Sequence, residues 1–420
     1  MNERECKKIL GEVLEEVKPD ESVLKRCNSV IALINKEIKS RKIRAKATLG
    51  GSIAKGTFLR DDYDCDVFVR FGLKLYKDKD ISAHLMKILQ KFNPKTLNGS
   101  RDYYQFEKDG IKFEVVPVLD IRNSGEARNV MDVSPLHVAW IRRRIDRKPK
   151  LADEVRLARA FCKANGVYGA ESFINGFSGH VIDILTIHYG GFINLLSSAS
   201  KWKSNEKNVI DPENHHRGKA LFNLNTSKTE GPLVLVDPVQ KDRNASASLS
   251  YEKFEIFKKA AGEFLKNPKK KFFEATSVEH NEKGWTNADV IPLSGKEDVI
   301  GCKILKAFIY IEKKLSLNGF VVEKKNWEWD KGKKAVFFYK ISADSLKKAL
   351  ASGTVITGGP PIEMKANTEA FKKKYKKTFI REKRIFAEVK RKFRNPKQLF
   401  ESLKNDKYLN GQIKQFKLIN

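Results

Sequence analysis

Residues 45–71 constrain the fold more than any other part of the sequence. The apolar segment Ala45–Leu49 runs into two glycines and a serine at 50–52, and a later segment, Cys65–Phe71, is β-branched and aromatic at alternating positions. Alternation with a period of two predicts strands, and the glycine turn after the first strand is followed by a helical interval. The sequence therefore predicts a mixed α/β unit built from a strand, a turn, a helix and a second strand.

Three acidic residues belong to this predicted sheet. Asp64 and Asp66 lie two positions apart at the start of the second strand, so their side chains project from the same face. Glu114 lies on a further predicted strand, Ile111–Leu119, and a neighbouring strand brings its carboxylate within reach of the pair. Three convergent carboxylates are the oxygen ligands that Mg²⁺ prefers, and two such ions about 4 Å apart serve phosphoryl transfer. An Asp-x-Asp pair by itself is more often a solvated pair at a strand edge.

The turn Gly50-Gly51-Ser52 predicts a phosphate-binding site. Glycines allow backbone N–H groups to approach a triphosphate closely, and the N-terminus of the following helix favours negative charge. A Gly-Ser pair by itself is usually only a turn. The ordered combination of this turn with the three acids is more informative than either feature, and it indicates a metal-dependent nucleotide site.

The composition indicates the class of partner. The 420 residues are enough for roughly two to four domains, and 82 Lys plus Arg against 52 Asp plus Glu give a formal net charge of +30. Such a surplus attracts polyanions, so nucleic acid is the expected partner. The cysteines are scattered and never in CxxC spacing, which indicates neither a disulfide framework nor a zinc site and suits a reducing, cytoplasmic setting. The segment Val181–Leu196 contains Asp183, which favours a buried core helix over a membrane span.

Periodicity predicts the order of the remaining elements. Helical spacing is present at 3–17, 21–40, Ile81–Phe92, 135–147, 151–165, 178–197, Tyr251–Leu265 and 298–316, and strands are predicted at Leu233–Val236, from Phe320 onward and at Ala335–Ile341. Near the end of the chain, Phe379, Phe386 and Phe393 are seven residues apart among Lys and Arg. That spacing predicts an amphipathic helix whose charged faces contact RNA phosphates.

The ordered acids and glycine turn resemble the nucleotidyltransferase superfamily of DNA polymerase beta. Further segments are similar, in the same order, to the archaeal class I CCA-adding enzymes, which are tRNA nucleotidyltransferases. These segments are GGSIAKGTFLRDDYDCDVFVRF (50–71), FEVVPVLD (113–120), SPLHVAW (134–140), EVRLARAFCKANGVYGAE (154–171), GFSGHVIDILTIHYGGF (176–192) and VDPVQKDRNASASLS (236–250). The resemblance covers the first 250 residues. It implies an α+β multidomain fold with a polymerase-beta-like nucleotidyltransferase head at 1–133, a mainly helical neck at 134–265, and an α+β body and basic tail at 266–420 for tRNA binding.

The resemblance also implies roles for individual residues. Asp64, Asp66 and Glu114 would be catalytic and bind the metal, which is expected to be Mg²⁺. The nucleotide would be held by residues of the turn and the neck, namely Ser52, Lys55, His137, Arg159, Tyr168 and Arg243. Two positions depart from the family pattern. Glu114 stands where Asp is common. Arg159 stands where Lys is matched, which replaces a compact ammonium group with a planar guanidinium group.

Taken one at a time, the neck residues also have purely structural interpretations. His137 on an apolar helix is more often a core or capping histidine, and Tyr168 is equally a core aromatic with a bonded hydroxyl. Arg243 next to aspartates is compatible with a surface ion pair, and Arg159 with a solvated helix face. Their order along the chain relative to the family is what favours the functional interpretation of all four.

Three functions are compatible with these features. The first is a template-independent tRNA nucleotidyltransferase that adds or repairs the 3′-terminal CCA, with the tRNA 3′ end, CTP and ATP as partners. The second is a poly(A) or oligoadenylate polymerase of the same superfamily, and the third is a non-catalytic RNA-binding protein. The first is preferred, with a cytoplasmic location and no membrane association expected. The sequence leaves the oligomeric state open, with a homodimer as one alternative.

Overall fold

The computed structural model of the chain describes residues 3–274 and 284–419. The chain divides into two compact units, Met1–Thr276 and Ser277–Asn420. Both units combine helices with sheets, which confirms the predicted α+β class. The division of the chain into 1–133, 134–265 and 266–420 stays a prediction.

A five-stranded sheet dominates the first part of the first unit. Its strands in chain order are β1 (Ala45–Leu49), β2 (Cys65–Gly72), β3 (Lys95–Leu97), β4 (Tyr103–Lys108) and β5 (Ile111–Asp120). Their spatial order is β1-β2-β5-β4-β3, and β2 and β5 are parallel while the other neighbouring pairs are antiparallel. β1, β2 and β5 confirm the predicted strands, whereas β3 and β4 have no counterpart among the predictions.

Helices surround this sheet and form the rest of the first unit. They are α1 (Glu3–Val17), α2 (Ser22–Ser40), α3 (Gly51–Lys55), α4 (Leu73–Tyr76), α5 (Ile81–Leu89), α6 (Ser134–Arg147), α7 (Lys150–Ala164), α8 (Gly179–Tyr189), α9 (Phe192–Ala199), α10 (Ala220–Asn223) and α11 (Tyr251–Lys266). Two short parallel strands, β6 (Asn208–Ile210) and β7 (Leu233–Leu235), lie between α9 and α11. The helices predicted at 3–17, 21–40, 135–147, 151–165 and Tyr251–Leu265 are therefore present.

The two faces of the five-stranded sheet carry different side chains. Val67 and Val69 on β2 belong to a core that also contains the apolar residues of α2 and α5. Phe68 and Val116 have the opposite parity and pack with Val138 of α6. Asp66 and Glu114 share the parity of Phe68 and Val116, so the pleat turns both acids away from the α2 and α5 core and towards α6.

A second core holds the helices of the first unit together. Phe161 of α7, Phe177, and Phe257 and Phe264 of α11 are almost fully buried in it, with apolar residues of α8 and α9. Cys6 and Val13 of α1 are in the same core. The first helix of the chain therefore packs with the helices that follow the sheet, and α2 packs on the sheet itself.

The helix predicted at 178–197 is two helices. α8 ends at Tyr189 and α9 begins at Phe192, and their axes are bent by 95°. Gly190 has a φ of +79° and Gly191 a φ of +152°, conformations that favour glycine, and Glu154 Oε2 accepts a hydrogen bond from the Phe192 N–H at 2.7 Å. Within the described residues no single helix is long and apolar enough to cross a membrane, and the bent α8–α9 pair passes that test by length and composition only.

The second unit contains two sheets. Its elements are β8 (Trp285–Pro292), α12 (Glu297–Leu317), β9 (Val322–Trp329), β10 (Ala335–Ile341), α13 (Ala343–Ala351), β11 (Thr354–Pro361), α14 (Lys365–Lys374), β12 (Thr378–Arg381), β13 (Arg384–Lys390), α15 (Pro396–Leu403), α16 (Lys407–Asn410) and β14 (Ile413–Leu418). One sheet has the order β14-β8-β10-β9 and shares its core with α12, and the other has the order β11-β13-β12. The predicted helix at 298–316 and the strand at Ala335–Ile341 are confirmed.

The amphipathic helix predicted around Phe379, Phe386 and Phe393 is wrong. β12 and β13 form an antiparallel hairpin there, and Phe379 lies directly opposite Phe386 with the two rings stacked 5.7 Å apart. Glu382 and Lys383 form the turn with φ of 49° and 58°. The spacing of seven between Phe379 and Phe386 arises because a tight turn sets two strand residues opposite each other, and Phe393 lies beyond the end of β13. No Asn-Gly or Asp-Gly pair marks the turn in the sequence.

Candidate active site

The turn between β1 and α3 lies directly against Asp66. The Gly50 N–H donates a hydrogen bond to the backbone oxygen of Asp66 at 2.7 Å. Gly51 has a φ of +53°, and a Cβ at this position would lie 1.7 Å from Asp66 Oδ2. Ser52, the second residue of α3, is half-buried. The predicted strand, glycine turn and helix are confirmed, and glycine is required at 51 because any side chain there would collide with the carboxylate.

The parallel register of β2 and β5 sets Asp66 beside Glu114. Asp64 comes two residues earlier and is exposed. Lys112 Nζ lies 3.4 Å from Asp64 Oδ2 and 3.5 Å from Glu114 Oε1. One ammonium group thus contacts two of the three predicted acids, which places all three at the same end of β2 and β5.

Asp66 occupies the most buried position of the three. Its pKa is raised to about 6, mainly by burial and further by the charge of Glu114, while Lys55 acts in the opposite direction. Gln105 Nε2 donates a hydrogen bond to Glu114 Oε1 at 2.8 Å and fixes that carboxylate. A partly buried carboxylate beside a second one favours a bound cation, so these residues fit a divalent ion with oxygen ligands provided that Lys112 moves aside.

Lys55 and Arg159 share one buried carboxylate. Lys55 Nζ lies 2.6 Å from Asp183 Oδ2, and Arg159 Nη2 lies 2.6 Å from Asp183 Oδ1. All three residues are buried, which excludes the solvated interpretation of Arg159. Burial opposes the ionisation of Asp183, but Arg159 and Lys55 outweigh it and lower the pKa of its carboxyl. Two cations on one anion leave a positive charge at this end of α3.

Tyr168 lies against the same group. A Cβ at Gly179, the first residue of α8, would stand 2.8 Å from Tyr168 Oη and 3.3 Å from Arg159 Nη2, so the hydroxyl and the guanidinium are neighbours. Lys163 Nζ stands 4.5 Å from the centre of the Tyr168 ring. Burial raises the pKa of Tyr168. Tyr168 is therefore a neighbour of Arg159, and its ring also packs against the helical core.

His137 and Arg243 meet at Asp237. His137 Nε2 is 3.0 Å from the Asp237 carboxylate, and Arg243 Nη1 is 2.6 Å from its Oδ2. His180 Nε2 is 3.6 Å from Oδ2, and its ring is 4.3 Å from that of His137. Burial lowers the pKa of His180 to about 4, and the pKa of Asp237 is held well below its ordinary range because its interactions with His137 and His180 outweigh its burial. Arg243 is thus paired with a fully buried acid.

A cavity of about 740 Å³ joins these groups. Its wall includes the sheet acids Asp66 and Glu114, Gly51 and Lys55 of the turn, and three residues of the neck, namely His137, His180 and Arg243. Ser52, Asp64, Arg159 and Tyr168 are outside its lining. The structure therefore brings five of the nine predicted site residues to one cavity and places the other four behind or beside it.

Sequence reasoning missed four residues that organise this site. Asp183 holds two predicted cations, Asp237 holds His137 and Arg243, His180 lines the cavity, and Lys112 contacts two acids. The available signal was an acid inside an otherwise apolar helix at 183, because a buried carboxylate requires a cationic partner. Asp237 lies six residues before Arg243, so the sequence indicated only a surface ion pair there. The contacts of His180 with Asp237 and of Lys112 with Asp64 depend on more distant segments and carry no comparable signal.

Three family models match the chain in sequence order. They are a nucleotidyltransferase domain at residues 31–137, the second domain of tRNA nucleotidyltransferase at 153–274, and the C-terminal domain of the CCA-adding enzyme at 294–415. Solved structures with a similar fold include the Cid1 poly(U) polymerase, with a TM-score of 0.51 and 12% identity over 64% of this chain and 98% of that chain. A cytoplasmic RNA terminal U-transferase has a TM-score of 0.51 and 13% identity over 66% of this chain and 100% of that chain. At these identities the likeness shows the fold alone.

Archaeal relatives match over most of their length. A CCA-adding enzyme of Nanoarchaeum equitans is 35% identical over 375 residues, which is 86% of this chain and 89% of that protein. A CCA-adding enzyme of Methanocaldococcus jannaschii is 30% identical over 97% of this chain and 93% of that protein. With the head motif, the matched domains and the nucleotidyltransferase fold in agreement, this chain belongs to the archaeal CCA-adding enzyme family of tRNA nucleotidyltransferases.

Proposed function

We propose that this chain adds or repairs the 3′-terminal CCA of tRNA, without a template, from CTP and ATP. The observation that carries the proposal is the cavity in which Asp66 and Glu114 share a wall with Lys55, His137 and Arg243. Carboxylates suit a metal ion, cations suit a triphosphate, and a volume of about 740 Å³ suits a nucleotide-sized ligand. Membership of the family supplies the tRNA substrate.

The metal in this proposal is Mg²⁺, held by Asp64, Asp66 and Glu114. Nucleotidyltransferases of this fold use a divalent metal, and the oxygen-only donor set favours Mg²⁺ among them. When bound, Mg²⁺ lowers the cost of deprotonating the tRNA 3′-hydroxyl and neutralises charge on the transferred phosphate. Lys112 contacts Asp64 and Glu114 as a single positive charge, so it must withdraw when the ion binds.

The chain's own residues position the reactants. The 3′-hydroxyl oxygen forms a bond to the α-phosphorus while the bond to the bridging oxygen of pyrophosphate breaks. Ser52 and Lys55 would hold the leaving phosphates, and Arg159 would fix Lys55 indirectly, through Asp183. Tyr168 would complete the nucleotide pocket beside Arg159. Selection of C and A requires hydrogen bonds to the base edge, for which Arg243 is the candidate.

Arg243 suits this role because of how it is held. Its side chain is 46% exposed, whereas its partner Asp237 is fully buried. The buried carboxylate anchors one side of the guanidinium, and the other N–H donors remain directed at solvent. An anchored guanidinium group presents its N–H donors in a fixed geometry, as discrimination between bases requires.

The test uses a tRNA transcript that lacks its terminal CCA, with Mg²⁺ and CTP, ATP or both, and reads the product at single-nucleotide resolution. We expect two additions with CTP alone and a third only when ATP is present. Asp66→Asn should abolish extension. Asp120→Asn is the matched control, because Asp120 is an aspartate of the same sheet, on the neighbouring strand β5, but is exposed and paired with Arg70.

Other products would identify other functions. A long adenylate ladder would indicate a poly(A) or oligoadenylate polymerase, and tight tRNA binding without extension by the wild type would indicate a non-catalytic RNA-binding protein. Incorporation of UTP as readily as CTP would contradict the proposed selection. Light scattering on the same preparation distinguishes a monomer from the homodimer that the sequence leaves open. A cytoplasmic location is part of this proposal, because the proposed substrates are tRNA, CTP and ATP.

A further inference from the structure

Three side chains from separate elements converge beside the nucleotide cavity. His137 is on α6, His180 is on α8, and Asp237 follows β7. The Nε2 or Nδ1 atoms of the two histidines and a carboxylate oxygen of Asp237 all lie within 4.8 Å of one another, a spacing that no other triad of His, Cys, Asp or Glu in the described residues meets. The carboxylate oxygens of Asp64, Asp66 and Glu114 do not all lie this close together. The histidine cluster is therefore a second, distinct set of potential ligands.

The distances suit a small tetrahedral ion. Zn²⁺ binds imidazole nitrogen and carboxylate oxygen at about 2.0–2.1 Å, and tetrahedral geometry then separates neighbouring ligand atoms by about 3.3 Å. His137 Nε2 is 3.0 Å and His180 Nε2 is 3.6 Å from the Asp237 carboxylate, on either side of that value. Little movement of the side chains is needed for the three to share one ion.

His180 supplies an independent reason to expect a ligand. Its Nε2 atom is buried and has no hydrogen-bond partner in the described part of the chain. A buried polar nitrogen without a partner is costly, and it faces a fully buried carboxylate beyond hydrogen-bond distance. An ion between the two would give His180 Nε2 a partner.

We propose that His137, His180 and Asp237 form a binding site for a transition-metal ion of the Zn²⁺ class, with an open coordination position towards the cavity. Two imidazole nitrogens and one carboxylate favour Zn²⁺, Co²⁺ or Ni²⁺ over Mg²⁺, which prefers oxygen ligands. The donor set thus separates this site from the Mg²⁺ site proposed at the three acids, although both border one cavity.

An ion at this site would oppose nucleotide binding. Asp237 Oδ2 already accepts a hydrogen bond from Arg243 Nη1, so the ion and Arg243 compete for one carboxylate. The positive charge of Arg243 also weakens the affinity for the ion, which we expect to be micromolar rather than that of a structural zinc site. This consequence rests on the proposed function, whereas the metal site itself does not.

The binding test uses the full chain with excess Mg²⁺ and titrates Zn²⁺ by calorimetry and Co²⁺ by its visible absorption. Cys302→Ser serves as the background, because Cys302 is partly exposed while the other four cysteines are buried. His180→Gln removes one ligand. His188→Gln is the matched control, a histidine on the same helix that has no place in the cluster.

We expect one ion per chain in the Cys302→Ser background and in its His188→Gln derivative. In His180→Gln the affinity for the ion should fall by more than about tenfold. Loss of a residue that only hydrogen-bonds to a metal ligand already lowers metal affinity by about that much. Absence of binding, equal binding in His180→Gln, or displacement by millimolar Mg²⁺ would each overturn the proposal. If His180→Gln does not fold, as judged by circular dichroism, His137→Gln provides the same comparison.

A kinetic arm separates this inference from the proposed function. Micromolar Zn²⁺ should raise the KM for CTP in the His188→Gln variant, and the increase should be much smaller in His180→Gln. If the chain adds no nucleotide under any condition, the proposed function fails while the calorimetric result still decides the metal site. Equal inhibition of both variants would show that Zn²⁺ acts elsewhere and would remove the proposed competition.

Discussion

At the scale of single residues, Gly51 determines how closely the turn approaches Asp66. We expect Gly51→Ala to abolish most nucleotide addition and to lower the free energy of unfolding by more than the strain of a positive φ, which costs about 1–3 kcal/mol. The reason is the collision of a Cβ with Asp66 Oδ2 at 1.7 Å. Urea denaturation and the extension assay measure the two effects.

Gly110 provides the comparison for this substitution. It has a φ of +69° between β4 and β5, but a Cβ there meets no atom within 4 Å. Gly110→Ala therefore introduces the same kind of backbone strain without displacing a carboxylate, and activity should persist. Equal loss of activity in both variants would show that backbone strain, not the contact with Asp66, explains the effect.

The raised pKa of Asp66 predicts that replacing this carboxyl group stabilises the folded state by an amount that depends on pH. The folded pKa of about 6 exceeds the ordinary value of 3.8, so the ionised carboxylate destabilises the folded state above pH 6. Below about pH 4 the carboxyl is protonated in both states and the penalty disappears. In metal-free buffer at pH 8 we expect the free energy of unfolding of Asp66→Asn to exceed that of the wild type by up to about 3 kcal/mol. This difference should shrink as the pH falls.

Mg²⁺ provides the control for this stability measurement. The ion should stabilise the wild type at pH 8 by compensating the buried charge, and it should stabilise Asp66→Asn much less. Thermal melts with and without Mg²⁺ give both comparisons. A wild type that is more stable than Asp66→Asn at pH 8 without metal would contradict the assigned environment of Asp66.

At the scale of elements, Asp183 links α3, α7 and α8. We expect Asp183→Asn to lower the free energy of unfolding by about 3–5 kcal/mol, because it leaves Lys55 and Arg159 buried without their counter-charge. Urea denaturation at neutral pH measures the loss. Asp120→Asn breaks an exposed pair with Arg70 and should cost no more than about 1 kcal/mol. Similar losses for the two variants would contradict the role of Asp183.

The same scale shows where local pattern is informative. Most helices of the first unit and strands β1, β2 and β5 were predictable because their apolar residues recur with the period of the element. The bend between α8 and α9 was missed because α8 is buried in one continuous run, Val181–Thr186, so its sequence shows no clear period that would separate it from the apolar residues of α9. The β12–β13 hairpin was missed because a spacing of seven also matches two helical turns.

At the scale of the whole molecule, the net charge of +30 predicts salt-dependent tRNA binding. Lys376 and Lys377 are exposed beside β12, and we propose that they contact phosphates. Changing both to Gln should weaken binding equally for tRNA with and without CCA, and should reduce the slope of log K against log salt by roughly one per lost contact. Filter binding at several salt concentrations measures this slope.

A charge-matched variant tests whether position matters. Lys7 and Lys8 are exposed on α1, and changing both to Gln removes the same charge. If only total charge determines affinity, the two double variants will weaken tRNA binding alike, and the proposed contact at β12 will be wrong. A larger loss of tRNA affinity in the Lys376 and Lys377 double variant would support a local contact at β12.

The sequence by itself determined the fold class and the order of most elements in the first unit, and it predicted nine candidate site residues, because strand alternation, the glycine turn and the family motifs are local. Only the tertiary structure decided how those residues are paired. Lys55 meets Asp183 across 128 residues and His137 meets Asp237 across 100. Burial and charge between distant segments set the protonation of Asp66 and the convergence at His180, and no local pattern encodes either, since both depend on which surfaces the packed helices bring together.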